Sequence, residues 1–270
     1  MGVVDLIILK LGGSVITHKE EDTPTVNHEN LKRISREIRE SSIQKLIIVH
    51  GAGSFGHPYA KKYAIGDEIK DSEDLKRKIR GFSLTHHAVN ELNSIICEYL
   101  RMQGIPAMPL QPSSFILTQN KRIQSADIRL IKKYLDMEFI PVLYGDVVLD
   151  TEPIKMAVLS GDQITTYLAR KLKPERVILA TDVDGIYDKN PKKYPDALLL
   201  EIVTSKEEIE TEETTVDVTG GMGGKVNELL DLLELGIESE IINANQKNNL
   251  KKVLNGEKVT GTTIKKRNYK

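Results

Sequence analysis

The stretch KLIIVHGAGSFGHPYA, Lys45 to Ala60, is where the fold is decided. Its apolar run, Leu46 to Val49, has the length of a buried strand, and it breaks into HGAGSFGH, a glycine-rich loop with a histidine at each end. Two familiar patterns fit this loop. Gly51, Gly53 and Gly56 spell the G-x-G-x-x-G of a dinucleotide site. Ser54, between Ala52 and Gly56, sits in an irregular form of the hydrolase nucleophile elbow.

Neither pattern survives the rest of the chain. The dinucleotide site needs a helix straight after the third glycine, then a second strand ending in an acid about 20 residues on. Here Gly56 is followed by HPYAKKYAIGDEIKDSEDLKRK, a polar stretch without a strand-like run. The hydrolase order needs a histidine late in the chain, after the acid. The histidines are His18, His28, His50, His57, His86 and His87, and none follows. The phosphate loop G-x-x-x-x-G-K-[ST] fails before Lys225, where Thr219 replaces the first glycine and Val226 the Ser/Thr.

Working outward, strand-length apolar runs alternate with segments of helical period. LIILKL (6–11), IPAMPLQ (105–111), FIPVLYGDVVLD (139–150, with a tight turn near Gly145–Asp146), RVILATDVDG (176–185) and ESEIINA (238–244) read as strands. Helices are expected around Leu31–Ile38, from Ser72 to Met102, from Gly161–Asp162 to Lys173–Pro174, from about Val226, and over NNLKKVL. The alternation argues a three-layer α/β/α sandwich with a mostly parallel central sheet. Residues 1–270 form one domain, with a seam near Pro174 and no flexible connector.

Composition narrows the function classes. The 270 residues are 40% hydrophobic and 29% charged, as in a soluble globular protein, and the formal net charge is -1. No basic run is free of acidic neighbours, so a nucleic-acid partner is not expected, and the terminal KKRNYK reads as a solvated tail. The single cysteine, Cys97, lies in an apolar helical pattern and can build neither a disulfide framework nor a thiolate metal site. The start, MGVVDLIILKLGG, lacks a basic n-region and is interrupted by Asp5 and Lys10. A cytoplasmic protein with no membrane partner is expected.

Three loops, KLGGSVITHK, HGAGSFGH and GGMGGK, each combine glycines with a base or a histidine. Glycines let backbone N–H groups approach an anion, and a following helix N-terminus adds a favourable dipole. In a parallel sheet such loops gather at the carboxyl ends of the strands. Three of them on one edge suit a reaction between two phosphate-bearing molecules.

Taken together, ILKLGGS (8–14), SGDQITTYLARKL, TDVDGIYDKNP (181–191) and GGMGGK (220–225) resemble, in order, the loops of the amino acid kinase fold family. Within that family HGAGSFGHPYA is similar to the acceptor loop of isopentenyl phosphate kinases, with Ala52 where glycine is common. The resemblance implies ATP-dependent phosphorylation of isopentenyl phosphate, a nucleotide carrying Mg²⁺, and a homodimer. It implies an acceptor lobe over 1–173 and a nucleotide lobe over 174–270.

In that reading Lys10, flanked by Leu9 and Leu11, reaches the β/γ-phosphates while the N–H groups of Gly12, Gly13 and Ser14 wrap them. Lys19 sits over the transferring phosphoryl group, and Gly221, Met222, Gly223 and Lys225 close on the nucleotide. Thr181, Asp182, Asp184, Gly185 and Tyr187 surround the nucleoside. Asp162 both caps its helix and holds the lysines, and Gly161 beside it helps bind the acceptor. His57, Ala52 and Gly53 take the acceptor phosphate, and Ile79, Phe82 and Val89 offer an apolar slot. A monophosphate is already anionic, so no general base is required, and no protein ligand for the metal can be named. Fosfomycin-type kinases and a non-catalytic nucleotide-binding protein of the same fold are the alternatives.

Overall fold

In the computed structural model, residues 6–18, 23–189, 191, 193–205 and 222–266 are described. The strands are β1 (Leu6–Leu11), β2 (Thr17–His18), β3 (Thr25–Val26), β4 (Lys45–His50), β5 (Ala107–Pro109), β6 (Ile116–Gln119) and β7 (Arg122–Ala126). They continue with β8 (Ile140–Tyr144), β9 (Asp146–Leu149), β10 (Met156–Leu159), β11 (Arg176–Thr181), β12 (Ile202–Val203), β13 (Glu238–Asn243) and β14 (Gly261–Ile264). The helices are α1 (Gly13–Ile16), α2 (His28–Glu40), α3 (Gly53–Lys62), α4 (Ser72–Met102), α5 (Arg129–Asp136), α6 (Gly161–Leu172), α7 (Met222–Glu234) and α8 (Asn249–Leu254).

Eight strands form the central sheet in the order β12-β14-β13-β11-β1-β4-β8-β5. All adjacent pairs are parallel except β13 with β14. Strand alternation divides the core into two layers. Leu6, Ile8, Ile47, Val49, Leu143, Val177 and Leu179 face one way, against Ile164 and Leu168 of α6 and Leu229 and Leu233 of α7. Ile7, Leu9, Leu11, Leu46, Ile48, Val142 and Ile178 face the other, against Ile34 of α2, Leu92 and Ile96 of α4 and Val253 of α8. Both faces are therefore covered, as an apolar parallel sheet requires. The strands beyond Pro174 occupy one half of the sheet, but β11 pairs directly with β1, so the sheet is continuous.

Local chemistry sets the helix ends. Asp71 accepts from the N–H groups of Glu73 and Asp74 at the start of α4, whose bounds match the sequence reading. α6 stops at Lys173, which takes a left-handed conformation before Pro174.

Several readings need correction. The stretch after Gly53 is helical, because α3 buries Phe55, Gly56 and Ala60 despite Pro58 inside it. The dinucleotide pattern still fails, since α4 rather than a strand follows. The chain after Gly145 does not return along β8. It leaves the main sheet to pair antiparallel with β10, a strand the sequence reading omitted, as it did the β2–β3 and β6–β7 hairpins. α7 begins at Met222, four residues earlier than read. Among the described residues no helix is long and apolar enough to cross a membrane.

Candidate active site

The parallel register brings Leu11, His50 and Tyr144 to one level, so β1, β4 and β8 end together at the carboxyl edge. The turns that leave them, with the β10–α6 turn, enclose a cavity of about 750 Å³. It is lined by Lys10, Gly13, Ser14, Ala52, Gly53, His57, Gly161 and Asp162. Four stretches far apart in the chain therefore meet here. A larger open groove lies at the opposite edge, lined by Ile7, Arg176, Glu238 and Lys252, and holds none of the glycine loops.

Strand parity explains Lys10. It shares a face with Leu6 and Ile8, the face that α6 covers, and only 3% of it is exposed. A charge so placed needs a partner. Asp162, in the first turn of α6, supplies it: Lys10 Nζ lies 2.8 Å from Asp162 Oδ1, close in distance though off hydrogen-bond alignment. Asp162 is not the cap, contrary to expectation. Ser160 caps α6, its Oγ accepting from the Gln163 N–H at 3.1 Å. Gly161 is small for a structural reason, since a Cβ there would lie 3.0 Å from the His50 carbonyl oxygen.

The glycine loops divide their backbone donors between fold and cavity. Gly12 N–H donates to the Ala180 carbonyl at 2.8 Å and is unavailable to a phosphate, which corrects the reading of that residue. Gly51 N–H is used likewise by Leu11, and Ser54 N–H by Thr17 Oγ1. Among the described residues the N–H groups of Gly13, Ser14, Ala52 and Gly53 have no protein acceptor, and all four residues line the cavity. Gly53 holds φ at +51°, a conformation that favours glycine.

His57 stands exposed on α3 at the cavity wall, which Lys62 also lines. His50 is structural, as expected. It is fully buried, with Nδ1 bonded to the Gly51 carbonyl at 3.0 Å and Nε2 to the Asn93 amide at 3.1 Å. Burial pulls its pKa down to about 4.

The residues read as a nucleoside turn form a second group beside β13, outside the cavity lining. Ser14 Oγ donates to Asp182 Oδ1 at 2.7 Å, which ties this turn to the first loop. Asp184 accepts from Tyr187 OH at 3.2 Å and from Asn243 Nδ2 at 2.9 Å. Thr181 Oγ1 folds back onto the Val183 carbonyl at 2.9 Å. Gly185 is packed so tightly that a Cβ would collide with Thr262 Oγ1, so its smallness serves the fold. Met222, Gly223 and Lys225 are in the first turn of α7 by backbone. Lys19, Gly221 and the side chain of Lys225 lie outside the described residues.

The apolar slot differs from its reading. Val89 lines the cavity, but Ile79 is 53% exposed and Phe82 stands behind the wall, packed against a cluster of Ala60, Ile65, Val147 and Met156 of which only Ala60 and Val147 line the cavity. Helical spacing places Ile79, Phe82 and Val89 near one face, yet only the last reaches the cavity along a helix of 31 residues. Further apolar wall comes from Tyr59 and Ala60 of α3, from Val147 in the stretch read as strand over 139–150, and from Val158 and Leu159 on β10, which the sequence does not announce. Asp146 was missed too. Its buried carboxylate accepts from His86 Nδ1 at 2.9 Å, from Ser113 N–H at 3.3 Å and from Val147 N–H at 2.8 Å. That hydrogen bond raises the His86 pKa against the effect of burial.

Comparison with known proteins bears on what such a cavity serves. The family model described as the amino acid kinase family matches residues 5–243. A protein of Methanothermobacter thermautotrophicus named isopentenyl phosphate kinase is 53% identical over 96% of this chain and 98% of its own. A Methanocaldococcus jannaschii protein of the same name is 36% identical over 96% of this chain and 98% of its own. A solved structure described as an isopentenyl phosphate kinase superposes with a TM-score of 0.89 at 51% identity, over 96% of this chain and 99% of that one. By coverage of nearly its whole length, in sequence and in fold, the chain belongs to the amino acid kinase family.

Proposed function

We propose that the chain transfers the γ-phosphoryl group of ATP to isopentenyl phosphate, giving isopentenyl diphosphate and ADP. A phosphate oxygen of the acceptor bonds to the γ-phosphorus as the bond to the β,γ-bridging oxygen breaks, and the electron pair leaves on ADP. The observation that carries this reading is the meeting of two loops with unpaired N–H groups over one buried lysine–aspartate pair.

Catalysis of such a transfer is mostly positioning and charge neutralisation in a loose transition state. Lys10, with Gly13 and Ser14, receives the donor phosphates, and Asp162 holds Lys10 in place. Ala52, Gly53 and His57 receive the acceptor phosphate, the imidazole as a hydrogen-bond donor. Lys19 neutralises the transferring group and Lys225 the β/γ-phosphates. Asp182, Asp184 and Tyr187 face the nucleoside. Among the described residues no group of three or more His, Cys, Asp or Glu side chains could hold a metal ion. Mg²⁺ would enter on the nucleotide's own phosphates and water, where it would supply charge neutralisation. The half of the sheet before Pro174 serves the acceptor, the half beyond it the nucleoside, and the donor phosphates lie at β1 between them; two copies form a homodimer in the cytoplasm.

The wall of Val89, Val147, Val158 and Leu159 favours a short alkenyl tail over a polar antibiotic of the fosfomycin kind, which would need donors there. A coupled ADP-release assay across a panel of monophosphates and fosfomycin tests the assignment. Isopentenyl phosphate is expected to be turned over best. Turnover of fosfomycin alone would overturn the acceptor and leave the fold.

A further inference from the structure

Thr17 opens β2 four residues after Gly13, within the first glycine loop, and is only 2% exposed, with its hydroxyl bonded back into that loop and across to the second. The hydroxyl donates to the Gly13 carbonyl at 2.8 Å and accepts the Ser54 N–H at 3.2 Å. Gly13 belongs to the turn after β1 and Ser54 to the first turn of α3. One buried side chain therefore hydrogen-bonds both loops.

The loops also touch backbone to backbone. A Cβ on Gly13 would lie 2.6 Å from Gly53 Cα, and one on Gly51 2.8 Å from the Gly13 nitrogen. A Cβ on Gly53 would collide with Thr17 Oγ1, so the left-handed turn there is shaped around the hydroxyl. Packing alone sets a separation but permits sliding. A hydroxyl that must donate to one loop and accept from the other also fixes direction, because hydrogen bonds weaken steeply off axis.

From this geometry we infer that Thr17 is a positioning residue for phosphoryl transfer. It touches neither substrate. Its hydroxyl locks the donor-phosphate loop to the acceptor-phosphate loop and so sets the approach of the acceptor oxygen to the γ-phosphorus. The inference rests on the kinase reading above, in which Gly13–Ser14 and Ala52–Gly53 hold the two reacting phosphates. A misplacement of about 1 Å in such an alignment costs on the order of a hundredfold in rate.

The test compares wild type with Thr17→Val, which keeps shape and removes both hydrogen bonds, and Thr17→Ser, which keeps the hydroxyl. Thr17→Cys, a weaker hydrogen-bonder, is a second variant should Thr17→Val not fold. ADP release with isopentenyl phosphate and ATP hydrolysis without acceptor are measured on the same preparation, so that loss of folded protein cancels in their ratio. Thr17→Val is expected to lower kcat for transfer about 10- to 100-fold, with KM for each substrate changed less than about threefold. Hydrolysis falls less than transfer. Thr17→Ser is expected to stay within about threefold of wild type, and Thr17→Cys to fall between Ser and Val. Wild-type kcat in Thr17→Val, a change confined to KM, an unchanged transfer-to-hydrolysis ratio, or a Ser variant as slow as Val would each overturn the inference while leaving the kinase reading intact. Absence of transfer by the wild-type chain would instead remove the kinase reading, and this inference with it.

Discussion

Asp162→Asn takes one charge from the pair beneath the cavity and leaves the side-chain shape almost unchanged. At the observed 2.8 Å, two unit charges attract by about 6 kcal/mol at an effective dielectric of about 20 and by about 1.5 kcal/mol in water. Side-chain exposures of 4% for Lys10 and 19% for Asp162 place the pair between these limits, nearer the first. Breaking a buried pair from one side costs about 3–5 kcal/mol, and the Asn oxygen recovers part of that as a hydrogen bond to the ammonium. A net loss of about 2 kcal/mol in the ligand-free protein follows, a fall in Tm of about 4–8 °C for a chain of this size. ATP should reverse much of that loss, because its phosphates return a negative charge to Lys10. The ATP-induced rise in Tm is therefore larger in Asp162→Asn than in wild type, and ATP binds at least as tightly. The rate should nevertheless fall, on the order of tenfold to a hundredfold in kcat, since Lys10 is no longer held in its productive position. Thermal unfolding with and without ATP, together with steady-state ADP release, measures all three quantities. Weaker ATP binding with an ATP-induced shift smaller than that of wild type would refute the argument, because it would mean that Asp162 supports the nucleotide other than through Lys10.

His57→Ala is expected to lower kcat/KM for the acceptor on the order of tenfold to a hundredfold, the worth of a charge-assisted hydrogen bond. KM for ATP should hardly move and His57→Gln should recover part of the activity; full activity in His57→Ala would exclude the role. Gly53→Ala places a side chain at a φ of +51° and against Thr17 Oγ1, so it should cost about 2–4 kcal/mol in urea unfolding and abolish most transfer. A stable, active Gly53→Ala would show that the two loops need not touch. His50 is held neutral in the fold, with its pKa lowered from 6.5 to about 4. Above pH 6.5 both folded and unfolded states are neutral there and its contribution is complete. As pH falls toward 4 the unfolded state takes up the proton first, so stability declines by on the order of 3 kcal/mol. Urea midpoints between pH 7 and pH 4 should show this slope, and His50→Gln should reduce it by about one proton; an unchanged slope would contradict the buried neutral imidazole.

Much of the architecture was legible in the chain itself. The runs 6–11, 46–49 and 176–181 are apolar because both faces of a parallel sheet are covered, and that pattern can be read from neighbours in sequence. The lysine in LIILKL stood out for the same reason, as a charge inside a run that burial would otherwise forbid. The glycine loops KLGGSVITHK and HGAGSFGH, each after a strand, meet at the carboxyl edge as their order in the chain implies. α3 was missed because Gly53, Gly56 and Pro58 all weaken helical propensity, and packing against α4 overrides it.

Donor use and side-chain partners depended on strand order. Whether Gly12 or Gly13 offers its N–H to a phosphate depends on Ala180, which lies beside Gly12 only because β11 pairs with β1. Asp162 reaches Lys10 only because α6 packs on the face that Lys10 shares with Leu6 and Ile8. Ile79 shares the helical spacing of Val89, but the direction and length of α4 carry it out to solvent. Periodicity and propensity are properties of residues close in sequence, so one chain read alone carries them. The partner of a buried hydroxyl or N–H belongs to whichever distant segment the sheet order brings within 3 Å, and only the assembled β11-β1-β4-β8 edge decides that.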